Sequence, residues 1–372
     1  MTGGGQGGRI EWVDRLRGLA VAGMMLVHSG PVWLQAEHRE GGYAGALGQI
    51  SGMVAPVFLF LAGVSVAIAA RRSSEASLWE QRAVRRRVSL RGLAIAAIGY
   101  AMHGSFWIFG GLHGDWRGVL KVDVLQCIGV ALAVLPWMAW PAGRSAPRSL
   151  AAMLLFLLGA QLTWRLPLAA VLPDALAGYL TYYADYALFP LFPYAAWIAL
   201  GLLVGPLWLA AEENERGRIR FWFGVAATAA LAIAATPGLE WLERASGLRD
   251  VPSAEGGAVR TTVSFFVFKA GMTLALLCAA RLTGLLPAAS RPGPLLLLGR
   301  RSLFAYVLHL FLIFHLFALV WRDRLAPPEH LGGFALLAAT TTALTWLWHR
   351  RRPLSRLLPL TGSPARRRVA SN

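Results

Sequence analysis

The sequence predicts an all-α polytopic membrane protein, a single bundle of about ten transmembrane helices with both termini cytoplasmic. Three observations lead there. First, 56% of the 372 residues are hydrophobic and only 15% are charged, where soluble domains carry about 25% charged residues. Second, the apolar residues come in long blocks instead of alternating with polar ones, as spanning helices require. Third, the net charge of +17 is almost all arginine, with Lys121 and Lys269 the only lysines, and the arginines cluster between the apolar blocks. That clustering points to membrane topology and argues against nucleic-acid binding.

Taken in order, residues 1–8 form a glycine-rich polar tail. Ten apolar spans follow, at about 16–34, 51–70, 89–109, 122–140, 149–168, 189–210, 219–236, 262–284, 302–321 and 331–349. Pro, Gly and Arg clusters separate them. The connection between the fifth and sixth spans contains Pro167 and Pro173 and reads as a loop lying in the membrane interface. Residues 9–352 make up the membrane domain and 353–372 a basic C-terminal tail. With the N-terminus inside, the cytoplasmic segments and their flanks hold roughly 26 of the 36 Lys and Arg residues, including Arg85–Arg87, Arg300–Arg301 and Arg350–Arg352. The positive-inside rule then favours ten spans with both ends in the cytoplasm. Cys127 and Cys278 fall inside apolar blocks and read as core residues, with neither a disulfide nor a metal framework implied.

Several ionisable residues fall inside or beside the spans, where lipid makes them costly and therefore functional by default. Arg17 opens the first span and His28 follows eleven residues later. Eleven residues are about three helical turns, so both side chains share a face, roughly 16 Å apart along the axis. Asp14 lies three residues before Arg17 and can pair with it. A buried neutral histidine suits general-base work. Arg82, Arg85, Arg86, Arg87 and Arg91 precede the third span; they serve as topological anchors or as a guanidinium site for a phosphorylated donor. Asp123 and Gln126, at the outer start of the fourth span, share a face and are candidates for orienting a histidine or holding an acceptor. Tyr306 and His309 share a face of the ninth span in its cytoplasmic half, with His309 a donor-contacting or structural imidazole.

The blocks RIEWVDRLRGLAVAGMMLVH, APVFLFLAGVSVAI, LKVDVLQCIGVALAVLPW, FPLFPYAAWIALGLLVG and GRRSLFAYVLHLFLI span most of the chain. In this order they resemble the transmembrane acyltransferase superfamily, which includes bacterial membrane O-acetylases. The more specific similarity is to bacterial relatives of heparan-α-glucosaminide N-acetyltransferase. The resemblance implies transfer of an acetyl or other acyl group from cytosolic acyl-CoA, with acetyl-CoA the expected donor, to a hydroxyl or amine of an extracytoplasmic sugar acceptor. Arg17 and His28 take the positions of the superfamily's first-helix pair. In the lysosomal members an asparagine stands at the His28 position, and the proposed catalytic histidine lies in the following loop, near His38. Both histidines occur in this chain, so both are candidate bases, with His28 preferred for its register with Arg17.

The expected enzyme is thus a multi-pass inner-membrane acyltransferase that uses no metal. Arg17, Arg82, Arg85, Arg86 and His309 are expected to hold the donor, and His28, His38 and Asp123 to carry catalysis. Gln126 and Asp14 are expected to position the reactants. The expected partners are membrane lipids, acyl-CoA and a glycan or glycolipid, with a homodimer left open. The alternative is a transporter or flippase of an amphiphilic substrate, with the buried histidines as a proton relay. The absence of an inverted repeat in the sequence counts against it.

Overall fold

The computed structural model describes residues 10–73, 77–110, 115–141, 145–182, 187–248, 262–283 and 293–350. The two tails, residues 1–8 and 353–372, lie outside them. The long helices are α1 (Glu11–Trp33), α2 (Gly42–Arg71), α3 (Leu78–Phe109), α4 (Val124–Met138), α5 (Ala146–Thr163), α6 (Leu191–Ala211), α7 (Glu215–Ala245), α8 (Val263–Thr283), α9 (Ser302–Trp321) and α10 (Pro327–Arg350). Each falls on one of the expected spans.

Eight of these helices, α2, α3 and α5–α10, are long and apolar enough to cross a membrane. The other two differ for physical reasons. α4 has 15 residues, fewer than the ~20 that a hydrocarbon core requires. α1 has 23 residues but starts with Glu11 and Asp14 and carries Arg17 and His28 along its length. Both are largely covered by neighbouring helices, so neither needs to be apolar all round.

Several boundaries lie outside the expected limits. α2 starts at Gly42 and α7 runs to Ala245, which takes residues from the loops expected at 35–50 and 237–261. α3 starts at Leu78, where Ser77 and Glu80 form a reciprocal capping box that satisfies the first backbone donors. The arginine run from Arg82 to Arg91 therefore belongs to the helix itself instead of preceding it. The segment before α9 contains a short helix, Pro294–Arg300. The fifth-to-sixth connection contains two more, Leu168–Val171 and Asp174–Leu180.

α2 and α6 form the centre of the bundle. They cross at glycine: a Cβ on Gly63 would run into the Ile198 carbonyl, and one on Gly201 into the Phe60 carbonyl. Close backbone approach of this kind supplies the van der Waals contact that holds helices together in lipid. α1 packs against α2, α9, α10 and the Pro294–Arg300 helix. Outward-facing side chains such as Phe223, Leu231 and Leu319 are exposed hydrophobics, the surface expected of a protein solvated by acyl chains. The chain alternates direction through the bundle. The start of α1, the end of α2, the starts of α3 and α9 and the end of α4 therefore gather at one end. That end carries Arg17, Arg72, Arg91 and Arg300 and is called the arginine end below.

Candidate active site

The site has two parts. At the arginine end, Asp14 and Arg17 pair across three residues of α1, with Nη1 donating to Oδ1 at 2.6 Å. Arg17 Nη2 also donates to Ser65 Oγ on α2 at 3.0 Å, and Ser65 in turn donates to the Leu61 carbonyl. Arg300 approaches the second Asp14 oxygen at 3.9 Å. These contacts fix the Arg17 guanidinium at the rim of a cavity of about 590 Å3 between α1, α2, α3, α4 and the start of α9. Asp14, Arg17, Ser65, Arg72, Arg91, Arg300 and Ser302 make its polar side; Phe58, Ile98, Leu125 and Ile128 are among its apolar walls.

The second part lies deeper. The Phe58 ring in the cavity wall is 6.3 Å from the Tyr306 ring. Tyr306 meets His309 edge-on at 5.1 Å and His28 at 6.2 Å. His28 and His309 stack almost parallel, with His28 Nδ1 3.2 Å from His309 Nε2. His309 Nδ1 lies 3.1 Å from the Ala305 carbonyl, one turn back on α9.

This geometry assigns the protons of the neutral pair. A carbonyl only accepts, so His309 carries its proton on Nδ1 and offers Nε2 as an acceptor. His28 Nδ1 must then donate to it. That leaves the lone pair of His28 on Nε2, the atom on the far side of the ring. His309 has no exposed surface, whereas His28 retains some. His28 can therefore meet a substrate, while His309 stands behind it and sets its tautomer.

Asp123 caps α4, accepting from Val124 N at 2.7 Å. Its other oxygen faces His103 Nε2 of α3 at 3.6 Å. Gln126, fully buried, sits against His103 Nδ1 at 3.5 Å through its amide nitrogen. Its Oε1 is buried with no hydrogen-bond partner. Gly99 makes room for this amide, because a Cβ there would stand 2.8 Å from Gln126 Oε1. Asp123 and Gln126 thus converge on His103, between α3 and α4.

The expected site residues divide accordingly. Asp14 and Arg17 meet at the cavity rim, His28 and His309 pair beyond Phe58 and Tyr306, and Asp123 and Gln126 meet at His103. Arg82, Arg85 and Arg86 do not line the cavity. They lie nearer the start of α3, where Arg85 covers the Trp140 ring at 5.2 Å while Arg82 and Arg86 are exposed. Arg91, two turns further along, is the member of that run that reaches the cavity. His38 lies beyond α1 on the turn Ala36–His38, with Glu37 at 3.6 Å. His309 is fully buried, between His28 and the Ala305 carbonyl. The sequence reading passed over His103, although an imidazole inside an apolar span is the same signal that singled out His28. It also missed Ser65 and Arg72, which reach the cavity only through the way α2 packs.

A multi-pass bundle with cations around an open cavity at one end and an imidazole with a lone pair to offer at mid-depth has the parts of a membrane-embedded group transferase. Comparison with known families gives the particular class. The family described as heparan-alpha-glucosaminide N-acetyltransferase, catalytic, matches residues 9–240, well over half of the chain, and the chain belongs to that family. It is a membrane protein of an acetyltransferase family. No curated protein matches the chain.

Proposed function

We propose that this protein transfers an acetyl group from acetyl-CoA, bound at the arginine end, to a hydroxyl or amine of a sugar-bearing acceptor that approaches from the opposite end. The observation that carries this reading is the line from the Arg17 rim of the cavity, past Phe58 and Tyr306, to His28. The donor's phosphates meet Arg17, Arg72, Arg91 and Arg300, whose guanidinium groups suit phosphate oxygens. The pantetheine arm follows the apolar walls. The helical distance from Arg17 to His28, roughly 16 Å, is of the order of such an arm.

The chemistry is acyl transfer assisted by a general base. His28 Nε2 takes the proton of the acceptor nucleophile as its oxygen or nitrogen attacks the thioester carbonyl. The carbon–sulfur bond breaks and coenzyme A leaves as the thiolate, which the His28 imidazolium protonates. His309 holds His28 in the required tautomer, and Asp123 stabilises the imidazolium through the field of its carboxylate. Gln126 Oε1, lacking a donor, is placed to accept a hydrogen bond from the incoming acceptor or from the amide of the pantetheine arm. A route through acetyl-His28, with Nε2 attacking the thioester first, uses the same atoms.

With the N-terminus inside, as the arginine distribution favours, the donor cavity faces the cytoplasm and the chain sits in the inner membrane. The test is calorimetry of coenzyme A with the purified protein in detergent. Binding that weakens in Arg17→Ala supports the reading. No binding to the wild type would favour the transporter alternative.

A further inference from the structure

Lys269 takes no part in the proposed chemistry, yet it sits about 9 Å inside α8 from Val263 and is only 6% exposed. Among the described residues no hydrogen bond and no carboxylate partner meets its ammonium. The Phe265 and Phe268 rings, 5.8 and 5.5 Å from Nζ, shield it from acyl chains but supply no anion. A buried cation without a counter-charge is costly, and at membrane depth it marks a site.

Nζ points at α2. It occupies the side-chain space of Gly52, where a Cβ would stand 3.1 Å from it. Gly45, Gly48 and Gly52 share one face of α2. At Gly45 and Gly48 an added Cβ would meet nothing within 4 Å, and Gln49 and Ser51 beside them are exposed. The face of α2 that packs on α1 is a different one: Leu47 and Val54 fill the spaces at Gly30 and Gly23. The glycine face is turned about 100–180° from it. It therefore looks away from His28 and opens sideways, at the end of the bundle opposite the arginines.

We propose that this face is a subsite for an anionic phospholipid of the leaflet at that end. The lipid phosphate neutralises Lys269, and the polar head lies along Gly48 and Gly45, within reach of Ser51 and Gln49. Lys269 lies about 9 Å from the start of α8, and a lysine stem can reach from within an apolar span toward lipid phosphates. Charge complementarity selects this occupant over a second copy of the chain, because a helix packed on the glycines would bury the ammonium further and leave it unpaired. Among the described residues no carboxylate pairs with Lys269 or stands ready to receive a choline cation, so a net-negative head is preferred over a zwitterionic one.

The test is native mass spectrometry of the full-length protein titrated with phosphatidylglycerol and with phosphatidylcholine. The expected result is a phosphatidylglycerol adduct on the wild type that Lys269→Arg retains and Lys269→Met weakens at least tenfold, with phosphatidylcholine weak throughout. Gly48→Leu, which fills the groove and leaves the charge in place, should weaken the same adduct and decides the matter if Lys269→Met fails to fold. Equal binding of the two lipids, or unchanged phosphatidylglycerol binding in both variants, overturns the proposal. So does competition by millimolar inorganic phosphate alone, which would mean a free-anion site. A shift in the monomer–dimer ratio without a change in lipid binding would assign the face to a second copy instead.

Discussion

Two neighbouring residues of α1, His28 and Ser29, enter two histidine networks with opposite character. His28 pairs with His309 and keeps one ring nitrogen free of any hydrogen bond within the pair. Ser29 meets His330 of α10 at 2.9 Å, and His330 meets the Tyr43 hydroxyl of α2 at 2.6 Å on its other nitrogen. Ser29 also donates to the Leu26 carbonyl, so His330 Nε2 must donate to Ser29 and Nδ1 must accept from Tyr43. Every position on that imidazole is used, and the ring is fully buried. The first network has chemistry left to offer. The second is a closed clamp joining three helices. Burial of an imidazole in a membrane bundle therefore does not mark its role; the two rings differ in whether a lone pair is left unused.

The sharpest way to break this contrast is to remove each histidine. His28→Ala should lower acetyl transfer by about 100- to 10,000-fold, the usual worth of a general base, while the protein still folds and binds donor. His330→Ala should do the reverse: folded molecules turn over at near wild-type rates, but the melting temperature falls, because losing a buried hydrogen-bonded group costs about 1–3 kcal/mol. Acetyl-transfer rates and thermal melts on the same two preparations decide it. A His330→Ala protein that is stable but inactive would erase the distinction.

The next effect concerns the donor. Arg17→Ala should weaken coenzyme A binding by about 1.5–3 kcal/mol, the worth of a charge-assisted hydrogen bond, measured by calorimetry. Arg82→Ala and Arg86→Ala, exposed on α3 away from the cavity, should leave it unchanged. A smaller effect sharpens the clamp itself. Tyr43→Phe removes one hydrogen bond from His330 and should cost about 0.6–1.5 kcal/mol, seen in melts with no change in rate. The smallest effect should come from His38→Ala, which is expected to alter only the apparent KM for acceptor. If His38→Ala abolishes transfer while His28→Ala retains most of it, the loop histidine is the base.

The sequence made the framework legible because the bilayer constrains it so strongly. Each expected span carries a helix, since a membrane-spanning segment must satisfy its own backbone. The Asp14–Arg17 pair was legible from an i, i+3 spacing, and the Arg17–His28 register from helical geometry. Contacts between elements far apart in the chain were not. Nothing local to His309 shows that it stacks on a residue 281 positions earlier, and nothing local to Ser65 shows that it braces Arg17. Positive charge at a helix start serves topology as well as ligands, so the α3 arginines look alike in the sequence; packing alone separates Arg91, in the cavity wall, from Arg85, over Trp140. Lys269 is one of two lysines in the sequence, but that its ammonium meets no carboxylate among the described residues is visible only once α2 is placed against α8.

A donor held by the arginine end and a separate base at His28 make two demands on the protein. Native mass spectrometry of the purified protein with acetyl-CoA tests both at once. The expected result is a one-to-one adduct on the wild type and on His28→Ala, strongly reduced on Arg17→Ala. No adduct on the wild type, or an adduct that Arg17→Ala leaves untouched, would contradict it.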